Sequence, residues 1–298
     1  MRFTIRQESV AQTIDHGIIN MRPLFKREYI LEIERCLYEA RKQLRRYWAG
    51  TLACLPSVNP EAKNWNNSQT QYDLDCQRIL YDCLSSTTLG ITIYSEESTS
   101  ATKYGGNENF YLLIDPLDGT HNAIHGFPAY TSSVALYHEG AYIFGWVYDI
   151  SRDLVYTAAL GEGSYLQSPI IVKRLYTRKV SCIEDMHISF HRPKDDSEKI
   201  TIQKLLWTAN KVRIYSCSSL EICLIAAGVL DAFIDLGSPG HERSCDIAAA
   251  ELILREAGGA LFYKAGNARY SLPPSPASLS DSETLIALSS KELIRIFL

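Results

Sequence analysis

The chain has 298 residues, enough for two domains or one composite unit at roughly 100–200 residues per domain. A net charge of −4 excludes a general electrostatic pull toward nucleic acid or anionic membrane, so an anionic ligand needs a local source of positive charge. Hydrophobic residues make up 46%, which supports a sizeable core, yet no apolar run reaches the roughly 18 residues of a membrane span. The N-terminus lacks a secretory pattern, and the eight cysteines are scattered without a C-x-x-C pair. Both features point to the cytoplasm and away from a disulfide framework or zinc site.

Residues 1–24 show no clear period, and 1–26 read as an irregular or partly helical extension. From Arg27 to Trp48, Ile30, Ile33, Leu37, Ala40 and Leu44 recur at helical spacing, which predicts a long amphipathic helix. A second helix is expected over Asp73–Leu84, with Cys76, Leu80, Cys83 and Leu84 on one face. The period then changes. Gly90–Tyr94 and Phe110–Ile114 are short β-rich runs that end in acidic residues, and Tyr130–Tyr137, Ala141–Tyr148 and Leu154–Leu160 alternate as an antiparallel meander. Helices follow at Ser219–Ala227 and Ile247–Ala257, the second closed by Gly258-Gly259, with a last helix at Lys291–Leu298. Leu230–Leu236, Ala260–Tyr263 and Thr284–Leu288 read as strands, and the Ser/Pro-rich stretch 271–282 as a surface loop. Such an order argues for layered sheets and helices, an α+β fold. The expected division is 1–26, an N-terminal subdomain 27–176 and a C-terminal subdomain 177–298.

The strand ends carry the chemistry. Tyr94 runs into Ser95-Glu96-Glu97-Ser98, and Ile114 into Asp115-Pro116-Leu117-Asp118-Gly119-Thr120. Carboxylates crowded past apolar strands repel one another unless they are solvated, protonated or neutralised by a cation. All-oxygen clusters suit hard ions such as magnesium. Pro116 fixes the turn so that Asp115, Asp118 and the Leu117 carbonyl converge, and Gly119 and Thr120 can present backbone N–H groups to an anion. A lone D-x-x-D is ordinarily a solvated turn. The third element, Cys245-Asp246-Ile247-Ala248-Ala249-Ala250, opens the helix that ends in Glu256-Ala257-Gly258-Gly259; Asp246 there suits either a helix cap or a metal ligand.

Taken together, Y-S-E-E-S, D-P-L-D-G-T, C-D-I-A-A-A and R-E-A-G-G resemble, in order and spacing, the motifs of the inositol monophosphatase superfamily. The resemblance extends over most of the chain from about Asn67. It implies an α-β-α-β-α sandwich of the sugar phosphatase type and a magnesium-dependent phosphomonoesterase with two or three ions, manganese serving as substitute. It implies that Glu96, Asp115 and the Leu117 carbonyl hold one ion and that Asp115, Asp118 and Asp246 hold another. Thr120, with Glu96, would orient the attacking water, and Asp73 would contact metal-bound water. The Gly119 and Thr120 amides would bind phosphate, with Ser216, Cys217, Ser218 and Asp235 facing the rest of the substrate. The sequence departs from the family pattern at Asn67, Ser95 and Cys245, and Lys63 lies one residue off the spacing of the family's mobile-loop lysine. His121, His125 and His241 have no role in this scheme. The segment D-G-T-H-N-A-I-H-G-F-P favours inositol 1-phosphate, fructose 1,6-bisphosphate or both as substrate. Hydrolysis of 3′-phosphoadenosine 5′-phosphate, or a low-turnover magnesium-binding regulatory role, are the alternatives. A homodimer is implied; nucleic-acid and membrane partners are not.

Overall fold

The computed structural model describes residues 22–53, 70–98, 100–105, 110–191, 196–236, 244–265, 268–270 and 284–297. Lys63, Asn67, His241, the stretch 271–282 and residues 1–21 of the extension lie outside them.

Helix α1 spans Arg22–Ala53 and α2 spans Gln71–Leu84. The apolar stripe of α1 (Ile30, Ile33, Leu37, Ala40, Leu44, Trp48) is buried, as are Cys76, Leu80, Cys83 and Leu84 of α2. A capping box starts α2: the Thr70 side chain accepts from the Tyr72 N–H, and Asp73 reaches back to the Thr70 N–H at 2.6 Å.

Both helices cover one face of an eight-stranded sheet built from β1 (Ile91–Ser95), β2 (Thr102–Tyr104), β3 (Phe110–Asp118), β4 (Thr131–His138), β5 (Ala141–Asp149), β6 (Leu154–Ala159), β7 (Gly163–Gln167) and β8 (Val172–Arg174). Its strand order is β2-β1-β3-β4-β5-β6-β7-β8, antiparallel throughout except for the parallel pair β1–β3. Between β3 and β4 the short helix α3 occupies Thr120–Ile124.

A second sheet, ordered β10-β9-β11-β14-β12-β13, contains β9 (His187–Phe190), β10 (Lys211–Arg213), β11 (Ala232–Asp235), β12 (Ala260–Ala265), β13 (Ala268–Tyr270) and β14 (Thr284–Leu288). Helix α4 (Asp196–Thr208) and two 3-10 turns lie on its outer side. Helices α5 (Ser218–Ala226) and α6 (Ser244–Glu256) fill the layer between the sheets. Strand periodicity shows the layering directly. In β4, Val134 and Leu136 pack toward α1 and α2 while Ala135 joins the α5/α6 layer; in β14, Leu285 and Ala287 face α5 and α6 while Ile286 and Leu288 face outward. The fold is thus an α-β-α-β-α sandwich of the α+β class.

Helix α6 approaches β5 closely because both surfaces are small. A Cβ on Gly145 would lie 2.6 Å from the Ala249 carbonyl oxygen. A Schellman motif ends α6, with Gly259 N–H bonded to Leu254 O and Gly258 N–H to Arg255 O.

The structure differs from the sequence reading in four places. Helix α1 begins at Arg22, inside the stretch expected as an extension, and runs on to Ala53. β3 does not stop at Ile114 but continues through Asp118. Pairing shifts from Asp115↔Ser133 to Asp118↔Thr131, so one extra residue is accommodated as a bulge, and the Ser132 hydroxyl donates to the Pro116 carbonyl at 2.7 Å. The last helix is a 3-10 segment, Lys291–Ile296. Strands β2, β7, β8, β9, β10 and β13 and helix α4 are additions that the apolar periodicity does not announce.

Candidate active site

Glu96 follows β1 directly, and its N–H donates to Ile114 O at 3.0 Å, extending the β1–β3 ladder by one rung. Asp115 is the next residue on β3, 2% exposed, and its Oδ1 accepts the Leu117 N–H at 2.9 Å. Asp246 arrives from the first turn of α6 and is also buried. One carboxylate oxygen each from Glu96, Asp115 and Asp246 lie within 4.8 Å of one another.

These acids oppose one another. Burial raises the Asp115 carboxyl well above its ordinary range, and the nearby charges of Glu96, Asp118 and Asp246 push it further. Asp118 stands beside the three-acid cluster, with Oδ2 committed to the N–H (2.8 Å) and hydroxyl (2.6 Å) of Ser219 at the start of α5. Burial raises the Asp118 carboxyl too, and the Ser219 bonds oppose that shift. Converging oxygen donors that each disfavour a neighbour's ionisation are relieved by a cation, and the donor set suits a hard divalent ion.

Gly119, between Asp118 and α3, has a left-handed φ of +82°. A side chain is excluded there: a Cβ would stand 2.6 Å from Ala129 O and 3.3 Å from the Cys217 Cβ. The Thr120 hydroxyl lies 2.7 Å from Asp73 Oδ1 and 2.9 Å from Leu117 O, while Asp73 Oδ2 accepts from the N–H and hydroxyl of Thr70. α2 is therefore fastened to the D-P-L-D-G-T turn through Asp73 and Thr120.

Tyr215–Ser218 closes the opposite side. Cys217 occupies the N-cap position of α5 without a side-chain bond to the helix, and its buried thiol lies 3.6 Å from Asp118 O. Ser218 is buried, with its hydroxyl 3.2 Å from His191 Nε2. Asp235 is buried as the last residue of β11. Cys245 donates weakly to Tyr94 O at 3.8 Å, joining α6 to β1.

Three participants have no place in the sequence-based scheme. Ser219 orients Asp118. Asn122 places its amide nitrogen 2.8 Å from Ala129 O, 2.6 Å from Tyr215 O and 3.4 Å from Ser216 O. Glu221 accepts from the Tyr215 and Cys217 N–H groups. A charged residue inside the apolar run Leu220–Ile225 was the available signal for Glu221.

Comparisons with known proteins place the chain in a family. The inositol monophosphatase family model matches residues 32–294. A fructose-1,6-bisphosphatase/inositol-1-monophosphatase of Methanocaldococcus jannaschii is 28% identical over 211 residues, covering 70% of this chain and 76% of that one. A putative Nus factor SuhB of Neisseria meningitidis serogroup B is 31% identical over 207 residues, covering 69% and 77%. The crystal structure of the extragenic suppressor protein suhB from Bartonella henselae shares the fold, with a TM-score of 0.71 at 23% identity over 89% of this chain and 96% of that one. The chain belongs to the inositol monophosphatase family and is a phosphoric monoester hydrolase.

Proposed function

We propose that this chain is a magnesium-dependent phosphomonoesterase that hydrolyses inositol 1-phosphate, fructose 1,6-bisphosphate or both, with water as the nucleophile. The observation that carries the reading is the convergence of Glu96, Asp115 and Asp246 within 4.8 Å. In this reading Glu96, Asp115, Asp246, Asp118 and the Leu117 carbonyl hold two or three magnesium ions, or manganese in their place. Bound divalent ions neutralise the ester's charge, lower the pKa of water and stabilise the leaving alkoxide.

The protein's own groups orient the reactants. Asp73 and the Leu117 carbonyl compete for the single hydroxyl proton of Thr120, which leaves the Thr120 oxygen lone pairs to accept from a water; in this reading that water would also meet Glu96. The Gly119 and Thr120 amides, where α3 begins, would receive phosphate oxygens. Ser216, Cys217, Ser218 and Asp235 face the alcohol portion.

A phosphate-release assay on chelator-stripped protein tests this. Turnover of inositol 1-phosphate or fructose 1,6-bisphosphate is expected only after magnesium is restored. Turnover undiminished by exhaustive chelation contradicts the metal reading, and preference for 3′-phosphoadenosine 5′-phosphate replaces the substrate class. The name of the Neisseria relative supports a second reading, a Nus-type regulatory factor on the same fold. Metal binding without phosphate release from any of the three esters would favour it.

We also propose a cytoplasmic homodimer. Free thiols among the described residues fit a reducing compartment, and exposed Ile170, Ile171 and Val172 beside the edge strand β8 offer apolar area for a second copy. Sedimentation velocity is expected to give twice the chain mass, and Ile171→Asp to shift it toward monomer.

A further inference from the structure

The segment leading into α5 is held from both sides. On the amide side, Glu221 Oε1 accepts the Tyr215 N–H at 3.2 Å and Oε2 accepts the Cys217 N–H at 3.2 Å. On the carbonyl side, Asn122 reaches Tyr215 O and Ser216 O. The residue bracketed by these contacts, Ser216, has a φ of +54°, a left-handed conformation that an L-residue adopts only at a cost.

Glu221 is fully buried and is further tied to β9 by the Ser189 hydroxyl, which donates to Oε1. His191 Nε2 lies 3.8 Å from Glu221 Oε2 and 3.2 Å from the Ser218 hydroxyl. The same ring nitrogen faces both groups, whereas a nucleophile-activating relay needs the two nitrogens on opposite partners. This constellation therefore holds a backbone rather than generating a serine nucleophile.

What the backbone controls lies one residue further on. Ser219 gives Asp118 two hydrogen bonds, and it can do so only while the first turn of α5 stays where Tyr215–Ser218 delivers it. We propose that Glu221 is a positioning residue for the acid cluster: it clamps the amides on either side of left-handed Ser216 and thereby fixes the Ser219 donors that orient Asp118. The inference rests on the reading of Asp118 as part of the metal site.

The test is manganese binding to chelator-stripped protein above pH 8, where Glu221 is ionised and both its oxygens accept, measured by calorimetry with circular dichroism and thermal melting as controls. In Glu221→Gln one carboxylate oxygen becomes an amide nitrogen, which cannot accept the facing N–H. A folded Glu221→Gln is expected to bind manganese at least tenfold more weakly, the range seen when partners of metal ligands are lost. Adding Ser216→Gly removes the left-handed cost, so the double variant is expected to recover affinity to within about threefold of wild type. A role confined to packing would lower the melting temperature, leave manganese affinity unchanged and show no recovery with glycine; that result overturns the proposal. If Glu221→Gln does not fold, Ser216→Val opens the same turn with Glu221 intact. Weakened binding there supports the clamp and unchanged binding overturns it. A wild-type protein that takes up no manganese overturns the metal-site reading and this inference with it. A wild type that binds beside an indifferent, folded Glu221→Gln overturns the inference alone.

Discussion

Asp118 is half-buried and Asp235 buried, each at the end of a strand, but different tasks are proposed for them. Asp118→Asn would keep an acceptor for Ser219 while removing a charge from the acid cluster, and kcat is expected to fall by two or more decades, about 3 kcal/mol. Asp235→Asn is expected to act mainly on KM and to leave metal affinity alone. Steady-state kinetics with calorimetry on both variants would reverse the assignment if the pattern were exchanged. Glu221 gives a pH signature. Burial pushes its carboxyl up to about 8, against the bonds from Ser189, Cys217 and Tyr215. The folded chain therefore holds a proton that the unfolded chain releases at ordinary carboxylate pH. The stability difference is absent below about pH 4.5, grows as pH rises and levels off above 8, reaching a few kcal/mol. Melting curves from pH 5 to 9 are expected to show wild type losing stability relative to Glu221→Gln; a constant offset would refute this. At this scale Glu96, Asp115 and Asp246 were legible through the family's motifs, since each acid alone also suits a turn or a helix cap, and the fold brings the three together. The sequence conceals Ser219 and Asn122, whose importance lies in contacts with a carboxylate and carbonyls far along the chain.

Among elements, β5 and α6 depend on each other most visibly. Gly145→Ala would drive a methyl against the Ala249 carbonyl, backbone against which no rotamer change helps. Urea titration is expected to show about 1–3 kcal/mol of destabilisation; a neutral result would mean that α6 slides freely on the sheet. Helix α1 was legible because one face is buried at helical spacing, whereas β4 and β5 are buried on both faces and stood out as apolar runs of strand length. β8 was not, since all three of its residues are exposed and show no alternation. β3 was misjudged at its end because Pro116 and two aspartates read as a turn, whereas the bulge and Ser132 keep that segment within the sheet.

For the molecule as a whole, the α5/α6 layer decides how the halves relate. One sheet occupies residues 91–174 and the other 187–288, which is why we propose the subdomain boundary at 176/177. Yet one apolar cluster joins Val147 and Tyr156 from the first sheet to Phe233, Leu285 and Ala287 from the second through the two helices. Thermal unfolding is accordingly expected as a single transition with coincident far- and near-UV signals. Two separated transitions would show the halves to be independent.

Glu96 and Asp115 are the residues that follow matched partners, Ser95 and Ile114, on neighbouring parallel strands. Their meeting thus depends on parity rather than on distance along the chain. The connection between them can lengthen or shorten, β2 included, without separating the two acids. One residue inserted within Ile91–Ser95 would turn Glu96 to the opposite face of the sheet and leave Asp115 without its companion. Length variation during descent is therefore free in the connection and forbidden in the strand, a restriction that arises from pleating and not from the chemistry of either carboxylate.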